Sequence, residues 1–126
     1  MPLFRAHHAK LLIAGHDHLF EHWVERYTDV TGRHRMDLVV SGGGGAPLYW
    51  YQGEPDLKPY LRAGAAARVE LEHLVKPAVD VQDNPYHYVI VRIDGERIDM
   101  EVVAVGRDTD FRPYSSNKLQ LLDSTR

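Results

Sequence analysis

The 126-residue chain contains no cysteine, which removes disulfides and thiolate metal sites from consideration and leaves nitrogen and oxygen donors to hold any metal. It has no block of lysine or arginine. Its charges are mixed in sign along the chain, with a formal net charge of −3 and a pI near 6.2, which argues against nucleic acid as a main partner. No apolar run approaches the ~18 residues of a membrane-spanning helix, so no membrane partner is expected. The opening Met1-Pro2-Leu3-Phe4-Arg5 has neither the basic nor the apolar region of a signal peptide, and the compartment stays open. What the chain does have is 44% hydrophobic residues over 126 positions, enough for the core of one domain and too few residues for two.

One stretch stands out. Leu11-Leu12-Ile13-Ala14 reads as a short strand buried on both faces, and it ends in Gly15-His16-Asp17-His18. In open α/β sheets ligands sit beyond the carboxyl ends of such strands, which is where the two histidines fall. Imidazole is the commonest protein ligand for transition metals, and two of them one residue apart either clasp one ion or serve two neighbouring ions. A second strand repeats the pattern: Asp37-Leu38-Val39-Val40-Ser41 is apolar along its length and stops at Gly42-Gly43-Gly44-Gly45. Glycine permits close approach of a ligand or another backbone, and the Ala46-Pro47-Leu48-Tyr49-Trp50-Tyr51 that follows brings three aromatics that need a surface to pack on. The lysine and serine or threonine of a P-loop do not follow these glycines.

The other elements are plainer. A proline placed to open a helix and the spacing of Leu3, Phe4 and Ala6 predict a short helix over residues 2–9. Residues 20–27 suit a half-exposed strand, although Glu21 and Glu25 equally favour a short helix. Thr31-Gly32-Arg33-His34 reads as a turn. Residues 52–85, punctuated by Pro55, Pro59, Pro77 and Pro85, read as a long irregular excursion that covers part of the site, with a helix allowed only within residues 60–75. His73 there reads as a surface histidine. Residues 87–93 and 97–105 flank Asp94-Gly95 and predict a type I′ hairpin, with Val91 opposite Ile98, Val89 opposite Met100 and His87 opposite Val102 on the inward face. His87 is then a core histidine bonded to backbone. Residues 106–126 read as a polar tail whose only candidate anchor is Leu119, Leu121 and Leu122.

Gly15-His16-Asp17-His18, the following Leu19-Phe20-Glu21-His22-Trp23 and the Asp37 to Tyr49 stretch together resemble the C-terminal part of calcineurin-like metallophosphoesterases, including the purple acid phosphatase relatives. The likeness runs from about Leu3 to Val105, most of this chain but only the last part of such an enzyme. The resemblance implies an α/β fold: the C-terminal part of an αββα sandwich, with a mixed sheet, a C-terminal β-hairpin and few helices. It implies two divalent ions (zinc, iron or manganese), with His16 on one and His18 on the other. It places Asp17 with Gly43, Gly44 and Gly45 on the substrate side or behind the ligands. Glu21 and His22 are close enough to help orient the loop.

The family's earlier motifs, Asp-x-His, Gly-Asp with a bridging aspartate, and Gly-Asn-His, are absent, and His7 and His8 sit too late to be its remaining histidine ligand. The chain is therefore expected to be a C-terminal segment of an enzyme that hydrolyses phosphate esters, with no catalytic residue of its own and inactive in isolation. The alternative is a non-enzymatic α/β oligomerising module with a vestigial histidine pair, and on either reading the chain is expected to form a homo-oligomer through exposed strand edges. In either case the two imidazoles are expected to face one concavity beside residues 42–45 and to hold a divalent ion only weakly.

Overall fold

The computed structural model describes residues 2–49, 51–79, 84–105 and 113–114, together with the backbone of residues 118–120. Helix α1 (Pro2–Ala6) leads into strand β1 (Leu11–Ala14), followed by the long strands β2 (Phe20–Asp29) and β3 (Gly32–Ser41). Helix α2 (Lys58–Ala63) and a 3-10 turn (Ala65–Ala67) precede β4 (Glu70–Val75), then β5 (Tyr86–Asp94), β6 (Arg97–Val105) and β7 (Lys118–Gln120). The fold is mixed α/β with few helices, and its four-stranded sheet is mixed. That sheet has the order β1-β3-β2-β4, with β1 parallel to β3 and the other pairs antiparallel. A second, antiparallel sheet has the order β5-β6-β7.

Alternation along β2 explains how the layers stack. Phe20 is buried against the second sheet with Val39, Val75, Met100 and Val102, whereas Tyr27, on the opposite face, packs with Met36 and Val69 beneath the helices. A strand buried on both faces in this way resolves the helix-or-strand ambiguity of residues 20–27. On the helix side Glu25 is fully buried, yet it is held by Arg5 at 3.3 Å and by the hydroxyl of Tyr60. One carboxylate thus ties α1 and α2 to the sheet. Burial, then the hydrogen bond to Glu25, pushes the Tyr60 hydroxyl up to about 12.

Between the sheets a polar chain crosses the apolar core. The Tyr114 hydroxyl bonds to His22 Nδ1, His22 Nε2 donates to Asp37 Oδ2 at 2.6 Å, and Arg35 grips both oxygens of Asp37 at 2.8 Å. Burial alone would raise the Asp37 carboxyl, but the bonds from His22 and Arg35 outweigh it and hold it low.

Several expectations are corrected. β1 is an edge strand, not one buried on both faces, and Ile13 is 53% exposed. The turn between β2 and β3 lies at Val30-Thr31, since Asp29 pairs with Gly32. There Asp29 Oδ1 accepts from the Thr31 amide at 2.8 Å, and an aspartate closing its own turn in this way outranks the nearby glycine as a marker. The second hairpin turns on Gly95-Glu96, with Ile93 opposite Ile98, Val91 opposite Met100 and Val89 opposite Val102. Gly95 alone has positive φ, +60°, which matches the type II′ turn with glycine first. A shift of two residues leaves every side chain on its expected face, so His87 is still inward. The 52–85 excursion is shorter than expected because Glu70–Val75 pairs with β2. Of the expected tail, Tyr114 reaches the core and residues 118–120 pair with β6, while Leu121, Leu122 and most of residues 106–126 lie outside the described residues.

His87 is 3% exposed; its Nδ1 donates to the Pro85 carbonyl at 3.1 Å and its Nε2 accepts from the Ser41 hydroxyl at 2.9 Å. Burial, opposed by the Pro85 bond, holds its protonation below the ordinary histidine range. The unfolded chain therefore binds a proton here before the folded one does, so stability from this residue is present above about pH 6.5 and is lost as pH falls below it. Thermal melts of the chain and of His87→Gln between pH 7.5 and 5 are expected to converge as pH falls, because the variant lacks this proton uptake. Parallel melting curves would contradict that expectation.

Candidate metal centre

The parallel pairing of β1 with β3, Ala14 opposite Val40, brings the ends of both strands to the same side of the sheet. The loop of residues 15–18 and the glycines of residues 42–45 leave from these adjacent ends and meet. Their contact is tight enough to need glycine. A Cβ at Gly42 would lie 1.9 Å from the Asp17 carbonyl oxygen, and one at Gly43 would lie 2.3 Å from His87 Nδ1. Hydrogen bonds close the junction: the Gly42 amide donates to Leu19 O at 3.0 Å, and the His87 amide donates to Gly43 O at 3.0 Å. Gly44 and Gly45 have open space around them.

The two histidines differ in environment. His18 Nδ1 donates to the Pro47 carbonyl at 2.7 Å, the ring stacks on Tyr49 at 4.1 Å, and the Tyr49 amide returns a bond to His18 O at 2.9 Å. With Nδ1 committed as donor, the proton is fixed on that nitrogen and Nε2 keeps a free lone pair. Metal-ligating histidines are ordinarily oriented in this way, with the second ring nitrogen donating to a backbone carbonyl or carboxylate. His16 is exposed, and its backbone is left-handed, φ +77°, a conformation that costs a non-glycine residue on the order of 1 kcal/mol. Among the described residues no third histidine, aspartate or glutamate joins this pair to make a group of ligand size.

A cleft of about 420 Å³ opens beside the loop. It is lined by Asp17, Glu21, Tyr49 and Tyr51, among others, so the loop contributes its aspartate to this concavity and neither of the two histidines. Behind it lies a group that sequence reasoning missed. His73 is not a surface residue: its ring stacks on Trp23 at 3.8 Å, with Nδ1 3.0 Å from Glu54 and Nε2 3.1 Å from Glu21 Oε2. The Nε2 contact has ion-pair distance without the angle of a hydrogen bond. Lys76, and then His73, hold the Glu54 carboxyl below its usual range. Burial and the nearby Glu54 and Glu21 charges push the Tyr51 hydroxyl up to about 12. The signal that pointed here was the aromatic run after the glycines; its Trp50 lies outside the described residues. His22 faces the other side of the sheet, where its partners are Asp37 and Tyr114, and takes no part in the cleft. Comparison of the chain with protein-family models, with curated proteins and with solved structures returns no match.

The glycine junction is directly testable. Gly42→Ala forces a backbone displacement and is expected to cost about 1–3 kcal/mol, read as a lower midpoint in urea unfolding, while Gly44→Ala stays within about 0.5 kcal/mol of the parent. Equal midpoints for the two variants would show that the loops do not press together at Gly42.

Proposed function

We propose that this chain is the C-terminal segment of a metal-dependent phosphoesterase of the calcineurin-like, purple acid phosphatase-related kind. His16 and His18 each complete the coordination of one of two divalent ions, and the other ligands come from the motifs this chain lacks. The observation that carries the reading is the His18 Nδ1 bond to the Pro47 carbonyl, which leaves Nε2 as the one ring nitrogen able to bind. Two supports accompany it: His16 holds an unfavourable left-handed backbone beyond the end of a parallel strand, and its imidazole has no partner among the described residues. The donor set therefore fits half of a two-ion centre. Such ions supply Lewis acidity toward the oxygens of a phosphoryl group in in-line displacement.

The chain's own residues have separable tasks. Pro47 and Tyr49 orient His18, Gly42 lets the two loops close, and Asp17 with Tyr49 and Tyr51 forms the wall that a substrate's alcohol portion would meet. The alternative, an oligomerising module with a vestigial histidine pair, is favoured by one observation: among the described residues β1 is an edge strand, with Ile13 exposed. The encoded sequence immediately upstream of Met1 discriminates between them through the presence or absence of Asp-x-His, Gly-Asp and Gly-Asn-His motifs.

The isolated chain, loaded with zinc or manganese, is expected to leave an aryl phosphate ester unhydrolysed. Joined to a segment carrying the missing motifs it is expected to turn that ester over, with His18→Ala lowering the rate by about 100-fold or more. Turnover by the isolated chain that His18→Ala abolishes would mean that the missing motifs are dispensable. A joined protein indifferent to His16→Ala and His18→Ala would overturn the assignment.

A further inference from the structure

At the other end of the same strands lies a second histidine pair. His8 follows α1, Asp29 ends β2, and His34 sits early in β3 opposite Tyr27. Their imidazole and carboxylate donor atoms all lie within 4.8 Å of one another, and they are the one such group among the described residues. His8 Nε2 is 2.7 Å from Asp29 Oδ2, His34 Nε2 is 3.0 Å from Asp29 Oδ1, and the two imidazoles stack at 4.1 Å. Both Nε2 atoms thus converge on one carboxylate. From His34 to Ser41 is seven residues of extended chain, about 20 Å, so this group cannot share an ion with His16 and His18.

We propose that His8, Asp29 and His34 form a divalent-metal site, with zinc as the ion that this donor set suits. Two imidazoles and one carboxylate are three ligands of the kinds zinc takes, leaving a fourth position for water. Partial exposure of His8 (38%) and Asp29 (31%) leaves that position open to solvent, while His34 (14%) is nearly enclosed. In the metal-free chain His8 Nε2 donates to Asp29 Oδ2, while His34 Nε2 donates to the Thr31 hydroxyl oxygen at 2.6 Å and lies 3.0 Å from Asp29 Oδ1. To bind, each ring moves its proton to Nδ1 and turns the Nε2 lone pair to the ion, so neither imidazole need lose a proton. Tetrahedral ligands at 2.0–2.1 Å from zinc are about 3.3 Å apart, so the nitrogen–oxygen separations of 2.7 and 3.0 Å widen by about 0.6 and 0.3 Å, and the stacked rings tilt apart so that both lone pairs meet one ion.

The carboxylate is ready for this role. Hydrogen bonds from the Thr31 hydroxyl and from His8 outweigh the opposing effect of burial and hold Asp29 well below the usual carboxylate range. Its position is also fixed by the turn, because Oδ1 accepts from the Thr31 amide at 2.8 Å and from the Thr31 hydroxyl. His34 also stacks with the ring of Tyr27 at 5.3 Å, and His8 is presented by a left-handed backbone, φ +51°. Two of the ligands therefore belong to a strand pair and the third to the segment after α1. An ion here would pin that segment to the β2–β3 hairpin.

The test is a zinc titration of the chelator-treated 126-residue chain, followed by imidazole NMR resonances and by thermal melting. The His8 and His34 resonances are expected to shift together at micromolar zinc, with a rise in Tm that persists in the double variant His16→Ala/His18→Ala. Asp29→Asn keeps the turn-closing oxygen but removes the charge, and it is expected to weaken binding at this site by about 10-fold or more; losing even an outer partner of a metal-bound histidine costs 10–100-fold. The proposal is overturned if zinc moves only the His16 and His18 resonances, if His8 and His34 stay still in the unmodified chain, or if Asp29→Asn binds as tightly as the parent. Because the unmodified chain is read directly, a misfolded variant does not obscure the answer. The outcome is also independent of any phosphoesterase activity.

Discussion

The contact on which the arrangement depends is the close approach of other parts of the chain at Gly42 and Gly43. At Gly42 the Asp17 carbonyl comes so close that no side chain fits, and at the next residue the His87 ring of the other sheet does the same. Three pieces of chain far apart in sequence therefore meet across two consecutive residues. The hydrogen bonds from Gly42 to Leu19 and from His87 to Gly43 convert that proximity into a fixed geometry. If either glycine carried a side chain, the loop with His16 and His18 would have to lift from the end of β3, or the second sheet from the first. Packed interiors respond to such an insertion by shifting backbone, which is why the effect would reach the histidines from outside the loop that bears them.

How much of this could be read in advance differs by element. The second half of β3 was legible as an apolar run, and the β5–β6 hairpin because alternation is a local property: Val89, Val91, Met100 and Val102 declare their common face without reference to the rest of the chain. The turn position was not, since type I′ and type II′ loops both accept a glycine next to Asp94, and only the backbone at Gly95 and Glu96 tells them apart. β1 was misjudged because an apolar run of four residues looks the same in the middle of a sheet and at its edge. β4 was missed although Glu70 to Val75 alternates. The prolines on either side of it argued for irregular chain, and pairing with β2 overrode them.

The candidate metal centre divides the same way. Two apolar runs each ending in turn formers pointed to strand ends, and parallel pairing brought those ends together. Beyond that, the features that give His18 its chemical character come from tertiary closure. The Pro47 carbonyl is 29 residues away in sequence, and a backbone acceptor leaves no mark in composition or spacing. His73 looked unpartnered because Glu21 lies on another strand and Glu54 in the preceding loop, yet folding places it between their carboxylates and under Trp23. Nor was the His8, Asp29 and His34 group visible as a unit, since it depends on the turn lying at Val30-Thr31 and on α1 ending where it does.

Between the two ends of the four-stranded sheet runs the chain from Tyr114 through His22 and Asp37 to Arg35. Taking these groups out of water is costly, and a well-packed apolar set would often serve stability as well or better. Their value is in discrimination. A one-residue slip of β3 against β2 would move Asp37 to the helix side and leave His22 buried without its acceptor, a penalty of several kcal/mol that an apolar interface would not impose. The helix side has its own buried charge in Glu25, which Arg5 and Tyr60 satisfy. The polar chain therefore enforces one register of β2 on β3, while Glu25 ties the helices to β2. Because β1 takes its position from β3, that single register decides where the strands end, and with it the placement of His16 and His18 at one end of the sheet and of Asp29 and His34 at the other.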